Sequence, residues 1–266
     1  MNKVILITFL LNLGHTHAQD RLFNYTYQST VLNKGQKELE IWTTLRGGRD
    51  NYFRGIDQRL EFEVGLGKKL QTAFYLNYGY SKGIEETNGI QTLNSSVNYS
   101  FSNEWKYKLS DPVANVIGSG LYFEYGISPT ETELEGKIIL DKQIGRTLHA
   151  FNIVGEYEFE KEFKSETSII DLETEHEAYI ELDYAFSYKI KEGFSIGMEA
   201  RNQNQFSSAN KLESSVLSLG PCISYYTDGF WLNFTLTPQI SNLKGGGLEL
   251  IEHEKLQARL LFSFAL

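Results

Sequence analysis

Acidic side chains two residues apart are the first feature of this chain that could do chemistry. Glu61 and Glu63 form one such pair, and Glu181 and Asp183 another. On an extended chain rising about 3.3 Å per residue, positions i and i+2 share a face roughly 7 Å apart. Two carboxylates at that separation match the acid and base of inverting glycoside hydrolysis. The plainer reading is a wall of solvated carboxylates. The histidines beyond residue 18, His149, His176 and His253, offer less. His176-Glu177 and His253-Glu254 begin like a zinc-binding HExxH, but Ile180 and Gln257 stand where the second histidine is needed. No GxSxG or Walker A sequence occurs, and Gly65-Leu66-Gly67 lacks the third glycine of a dinucleotide loop. Cys222 is the lone cysteine, which excludes an internal disulfide and a CxxC metal or redox pair. The sequence therefore names no catalytic residue, metal set or cofactor.

The elements that carry these residues read as β-strands. In 256–266, Leu256, Ala258, Leu260, Phe262, Phe264 and Leu266 share one parity, and Gln257, Arg259 and Ser263 the other. Successive side chains of a strand point to opposite faces, so this strand has one apolar and one mostly polar face. Around residue 60, Ile56, Leu60, Phe62, Val64 and Leu66 alternate with Asp57, Arg59, Glu61 and Glu63. Charges at every second position exclude a buried two-sided strand. The pattern begins at Gln36 and recurs near 70–80, 91–102, 116–127, 132–142, 147–160, 175–188, 194–204, 214–226, 230–240 and 254–266. With the first two strands, that makes about twelve. Tight links (67–69, 143–146, 189–193, 227–229) alternate with longer polar ones (47–55, 81–90, 161–174, 205–213, 241–253). Two links depart from this rhythm: 103–115 is long on the short-turn side, and 128–131 is short on the other. Within 103–115, Ser110-Asp111-Pro112 suggests a short helix with Asp111 as N-cap and Pro112 at its first position. Residues 19–35 show no period, which suits a periplasmic arm or a plug.

Composition agrees with a barrel. Tyr (16), Phe (17) and Gly (23) are frequent while Pro (4) and Met (2) are scarce, and mean hydropathy is −0.32. A transmembrane barrel hides its apolar residues in period-2 strands, so its average looks soluble. Lys3, the apolar run Val4 to Leu13 and the small-residue site around Thr16-His17-Ala18 read as a signal peptide over residues 1–18. The apolar run, about ten residues, is too short to span a bilayer as a helix. A formal net charge of −9 argues against nucleic acid as a partner.

The sequence thus predicts an all-β, transmembrane, antiparallel up-and-down β-barrel of about twelve strands over residues 36–266, preceded by a signal peptide and the arm or plug. Asp57, Arg59, Glu61, Glu63, Glu124, Lys137, Glu181, Asp183, Glu199, Arg201 and Arg259 fall on the polar parity and are expected to line the lumen. Acidic groups outnumber basic ones there. That favours a cation-preferring conduit, or else a salt-bridged filling of side chains. The acidic stretch 156–177 reads as a solvated outer loop or as a divalent-ion contact beside lipopolysaccharide. Trp105, Tyr107, Tyr226 and Trp231 read as membrane-interface aromatics.

The runs Glu38-Leu39-Glu40-Ile41-Trp42-Thr43-Thr44, Arg59 to Leu66, Leu70 to Asn77 and Gly120 to Tyr125 resemble a group of uncharacterised outer-membrane β-barrel proteins of Gram-negative bacteria, some transporter-like. The resemblance implies the barrel and an outer-membrane location, and brings no catalytic residues. Passive transport of small polar or charged solutes through a net acidic lumen is the leading expectation. The solute itself stays unnamed. Expected partners are outer-membrane lipid, lipopolysaccharide and, through the C-terminal strand, the barrel-assembly machinery. Two other classes remain open: a lipid- or lipopolysaccharide-modifying hydrolase using His176 and a neighbouring serine, and a closed structural or adhesive barrel. A soluble periplasmic sandwich is the minor alternative in fold.

Overall fold

The computed structural model describes residues 21–266 apart from Asn88, 167–168 and 209–210; for Thr87, 162–166 and 169–174 it describes the backbone alone. Twelve antiparallel strands form a closed barrel: β1 (Lys37–Gly47), β2 (Phe53–Gly65), β3 (Leu70–Thr87), β4 (Ile90–Ser110), β5 (Gly118–Ile127), β6 (Glu131–Ile144), β7 (Thr147–Glu166), β8 (Ile169–Lys191), β9 (Phe194–Phe206), β10 (Leu212–Thr227), β11 (Phe230–Asn242) and β12 (Leu256–Ala265). Each strand pairs with its sequence neighbours. β12 closes the cylinder on β1, from Glu38 opposite Ala265 to Gly47 opposite Leu256. Closure leaves no unpaired edge, the condition for crossing a bilayer with strands.

Burial is inverted relative to a water-soluble domain. Leu60, Phe74, Leu76, Leu121, Phe123, Ile138, Ile153, Leu182, Tyr184, Ile196, Met198, Leu219, Ile223 and Phe264 all face outward and exposed. Glu38, Glu40, Glu61, Glu63, Glu104, Asp183 and Glu199 are all buried. An apolar band of that extent on a protein in water would be an association surface; around a barrel it is the lipid face.

The structure departs from the sequence reading in several places. β4 continues to Ser110, so 103–110 is strand, and the turn after it contains no helix. Asp111 does cap that turn. Its Oδ1 accepts the amides of Val113 and Ala114 at 2.9 and 3.0 Å, and Lys108 Nζ donates to Oδ2 at 2.7 Å. These donors, Lys108 first, hold its carboxyl down at about 2. Pro112 starts only a turn because the chain re-enters the barrel at Gly118. The expected long loops 81–90 and 161–174 are instead mostly paired strand, β3 reaching Thr87 and β7 reaching Glu166. Over 81–86 and 90–100 both parities are exposed or half-exposed, as in a hairpin standing in water beyond the lipid band. Trp231, expected at the membrane interface, faces inward almost fully buried and donates its Nε1–H to Glu38 at 3.1 Å. The short 128–130 link is real: the Ser128 amide donates to the Glu131 carbonyl at 2.8 Å, and Ser128 Oγ accepts the Glu131 amide at 2.9 Å.

Residues 21–35 enter the barrel at the end where β1 begins and β12 finishes and cross its interior without regular structure. They leave beside Gly65, whose amide and carbonyl bond the Gln36 carbonyl and the Gly35 amide at 2.9 and 2.8 Å. A Cβ on Gly65 would lie 2.0 Å from the Asn33 carbonyl oxygen. Glycine is the residue that permits so close a backbone approach. Gly65→Ala should therefore lower unfolding stability in urea by about 1–3 kcal/mol, and wild-type stability in that variant would show that the segment does not pack there.

Candidate functional site: the barrel interior

A chain segment without regular structure carries amides that no ladder satisfies. Leaving one buried and unpaired costs about 1–3 kcal/mol. Here the inner wall supplies the partners. Glu199 on β9 accepts three successive amides: Asn24 on Oε1 at 2.9 Å, and Tyr25 and Thr26 on Oε2 at 2.8 and 3.0 Å. Thr235 Oγ1 donates to the same carboxylate at 2.6 Å. Asn152 on β7 accepts the Tyr27 amide at 2.6 Å and donates back to its carbonyl at 3.0 Å. Asp141 on β6 takes the Ser29 amide and hydroxyl at 2.9 and 2.7 Å, and Gln71 on β3 takes the Leu32 amide at 2.9 Å. In return, Asn233 and Ser224 donate to the carbonyls of Arg21 and Leu22 at 2.8 and 2.7 Å.

Side chains fix the same path. Phe23 packs among Leu148, Ala150, Ala185 and Cys222, mostly small residues that leave room for the ring. Tyr27 meets Tyr122 edge to face at 5.0 Å. The Arg21 guanidinium lies 4.3 Å from the centre of the Tyr27 ring and 4.6 Å from that of Trp42, with Glu40 at 3.7 Å.

Above this segment lies a cavity of about 880 Å³. Asn24, Tyr25 and Tyr27 contribute its floor, and the Ser128–Thr130 link lines it at the end opposite the termini. Of the residues expected to line the lumen, Asp57, Arg59, Glu124, Lys137, Glu181, Arg201 and Arg259 border this cavity. Glu61, Glu63, Asp183 and Glu199 share the inner face but lie buried outside it.

Charge is divided across the cavity. On the β12–β1–β2 and β9 side, each arginine has a partner. Arg46 grips Asp57 at 2.7 and 3.1 Å, Arg59 reaches Asn77 at 2.7 Å and Glu124 at 3.4 Å, and Arg201 grips Glu181 at 3.0 and 2.8 Å. Arg259 donates to Thr44 at 2.8 Å and lies over the Tyr25 ring at 4.0 Å. The Glu181 ion pair removes it from acid–base use with Asp183. The facing wall is acidic. Glu131 is opposite Glu160, Glu133 opposite Glu158 and Glu135 opposite Glu156, while Lys137 pairs with Glu135 at 3.0 Å. Like charges directly opposite on neighbouring strands are destabilising, so this ladder is held at a cost. Glu131 and Glu133 escaped the sequence reading, and Glu158 and Glu160 entered it only within the acidic stretch 156–177, read as an outer loop and found as strand. Their parity was visible, but their pairing depends on a β6–β7 register that no local pattern states.

His176 stands on the rim between Tyr157 and Phe159, with ring centres 5.9 and 5.4 Å away. The serine nearest to it in hydrogen bonding, Ser208, donates to its backbone carbonyl at 2.9 Å and not to its ring. A serine–histidine contact does occur on the inner wall, Ser214 Oγ to His253 Nε2 at 3.1 Å.

Residues 15–266 match a family profile described as "Family of unknown function (DUF6662)". The chain belongs to that family. No curated protein matches it. Among solved structures it is similar to the COG4313 outer membrane channel from Pseudomonas putida F1, at 11% identity and a TM-score of 0.63, covering 92% of this chain and 100% of that one. It is also similar to the translocator domain of the autotransporter NalP from Neisseria meningitidis (12%, 0.58, 87% and 89%) and to the NanC porin (13%, 0.53, 86% and 100%). At these identities the likeness is one of fold.

Glu199 should therefore matter to stability before anything else. Replacing it by alanine strips three buried amides of their acceptor. The change should cost about 3 kcal/mol or more and open residues 21–35 to protease while strand content holds. Wild-type stability with an uncut segment would contradict the assignment.

Proposed function

We propose that this chain is an outer-membrane channel whose vestibule gathers small cationic solutes above an N-terminal plug. The observation that carries this reading is the β6–β7 carboxylate ladder facing a cavity floored by Asn24, Tyr25 and Tyr27. Six carboxylates set opposite one another, with Lys137 the one cation paired to them among the described residues, favour any positive charge that enters, and a low-dielectric wall strengthens the attraction. Of the arginines opposite, Arg46, Arg59 and Arg201 carry their own counter-charge in Asp57, Glu124 and Glu181, and Arg259 is held by Thr44 and the Tyr25 ring. Both barrel termini lie at the plugged end, which in outer-membrane barrels faces the periplasm. The vestibule then opens outward. Residues 1–18 would direct export, and the exposed apolar band would contact lipid and lipopolysaccharide. The closing strand β12 would be the element presented to the assembly machinery. The solved outer-membrane channel and porin of like fold support the class of function, not a solute.

A closed structural barrel is the second reading, favoured by the density of bonds between plug and wall. Planar-bilayer conductance separates the two. The mature protein should give rare, small steps, and a variant lacking residues 21–34 should give frequent, larger steps with cation preference. Glu133→Gln with Glu158→Gln should weaken that preference in the opened variant. A folded deletion variant that stays silent, or conducts anions preferentially, would contradict the channel reading.

A further inference from the structure

The deepest acidic group in the barrel is separate from the vestibule. Glu38 and Glu40 on β1, Glu61 and Glu63 on β2, and Glu104 on β4 are each at most 4% exposed. Glu38 is directly opposite Glu63, and Glu40 opposite Glu61. Ala73 on β3 is the residue opposite both Glu63 and Glu104, and its small side chain lets carboxylates of β2 and β4 meet across it. Two buried cations, Arg21 and Lys106, stand against five carboxylates. Burying a carboxylate without a compensating partner is among the costliest arrangements a protein can hold.

Hydrogen bonding distinguishes these groups. Glu40 accepts the Trp42 indole N–H at 3.0 Å, and Glu38 accepts Trp231 and Ser263 at 3.1 and 2.9 Å. Glu63 accepts Gln71 Nε2–H at 2.9 Å, and Glu104 accepts the Tyr75 hydroxyl on Oε2. Both oxygens of Glu61 and Oε1 of Glu104 are buried without a partner. One carboxylate oxygen each from Glu61, Glu63 and Glu104 lies within 4.8 Å of the others. Calcium binds oxygen at about 2.3–2.6 Å, so two ligands across one ion stand roughly 4.6–5.2 Å apart at most. Magnesium, at about 2.0–2.1 Å, demands a tighter set.

We propose that Glu61, Glu63 and Glu104 form a buried site for a hard divalent cation of calcium's size, which ties β2 to β4 behind β3. The ion supplies the charge that the acidic cluster lacks and the partner that Glu61 lacks. Oxygen donors alone exclude a preference for soft metals. This site stands whether or not the vestibule conducts.

Terbium(III) tests it on the refolded mature protein, because Tyr75, bonded to Glu104, would sensitise its emission. Binding should saturate at one buried site, and calcium should compete more strongly than magnesium. Emission lifetimes in H2O and D2O should show few waters on the ion. Glu61→Gln, which removes charge but no hydrogen bond, should weaken binding at least tenfold, whereas Glu133→Gln with Glu158→Gln should leave this component in place. If Glu61→Gln fails to fold, Glu104→Gln and the wild-type lifetimes decide. Folded wild-type protein with no terbium signal, a fully hydrated ion, or a signal lost only with the ladder variant would overturn the site. So would an infrared band of a protonated carboxyl, lost in Glu61→Gln and unchanged by calcium, which would assign a shared proton instead.

Discussion

Three consecutive backbone amides, those of Asn24, Tyr25 and Thr26, end on one carboxylate, Glu199. That contact states the constraint under which the interior is built. A barrel of this size encloses space that must be filled by side chains, water or chain. This one fills the half nearest the termini with its own N-terminal segment. An irregular segment brings unpaired amides with it, so the wall must present acceptors at the right heights. Asn152, Asp141 and Gln71 extend what Glu199 begins. Polar wall residues are thus structural in the lower half, while those of the upper half border open space.

The same division separates two kinds of acidic group. Carboxylates near the N-terminal segment are buried and serve as acceptors or as part of the Glu61–Glu63–Glu104 cluster. Carboxylates of β6 and β7 border open space and repel one another across the strand seam. On the opposite wall Arg46, Arg59 and Arg201 are paired with acids in place, and Arg259 is held by Thr44 and the Tyr25 ring. N-terminal segment, cluster and ladder each answer to the charge around them, which explains how one chain keeps so many acids on one face.

Much of the architecture was legible because β-structure has period 2. Alternations such as Asp57, Arg59, Glu61 and Glu63 against Ile56, Leu60, Phe62 and Val64 determine inner and outer faces strand by strand. Register is a different matter. That Glu133 meets Glu158, or that Ala73 lets Glu63 approach Glu104, depends on pairings set by the whole cylinder. The helix expected after Ser110 had a sound capping signal in Asp111, but that signal serves a turn equally well when the chain must re-enter the barrel at Gly118. Trp231 read as an interface aromatic from its place beside a turn, and only parity against Leu232 and Phe234 would have turned it inward. Residues 21–35 gave no periodic signal because their order comes from wall side chains and not from a ladder.

Amide hydrogen exchange on the membrane-embedded or detergent-folded protein tests the central claim most directly. If the wall holds the segment, the amides of Asn24 to Tyr27, Ser29 and Leu32 should exchange as slowly as those of neighbouring strands. Exchange of those amides at the rate of a free tail, with the strands still protected, would contradict it.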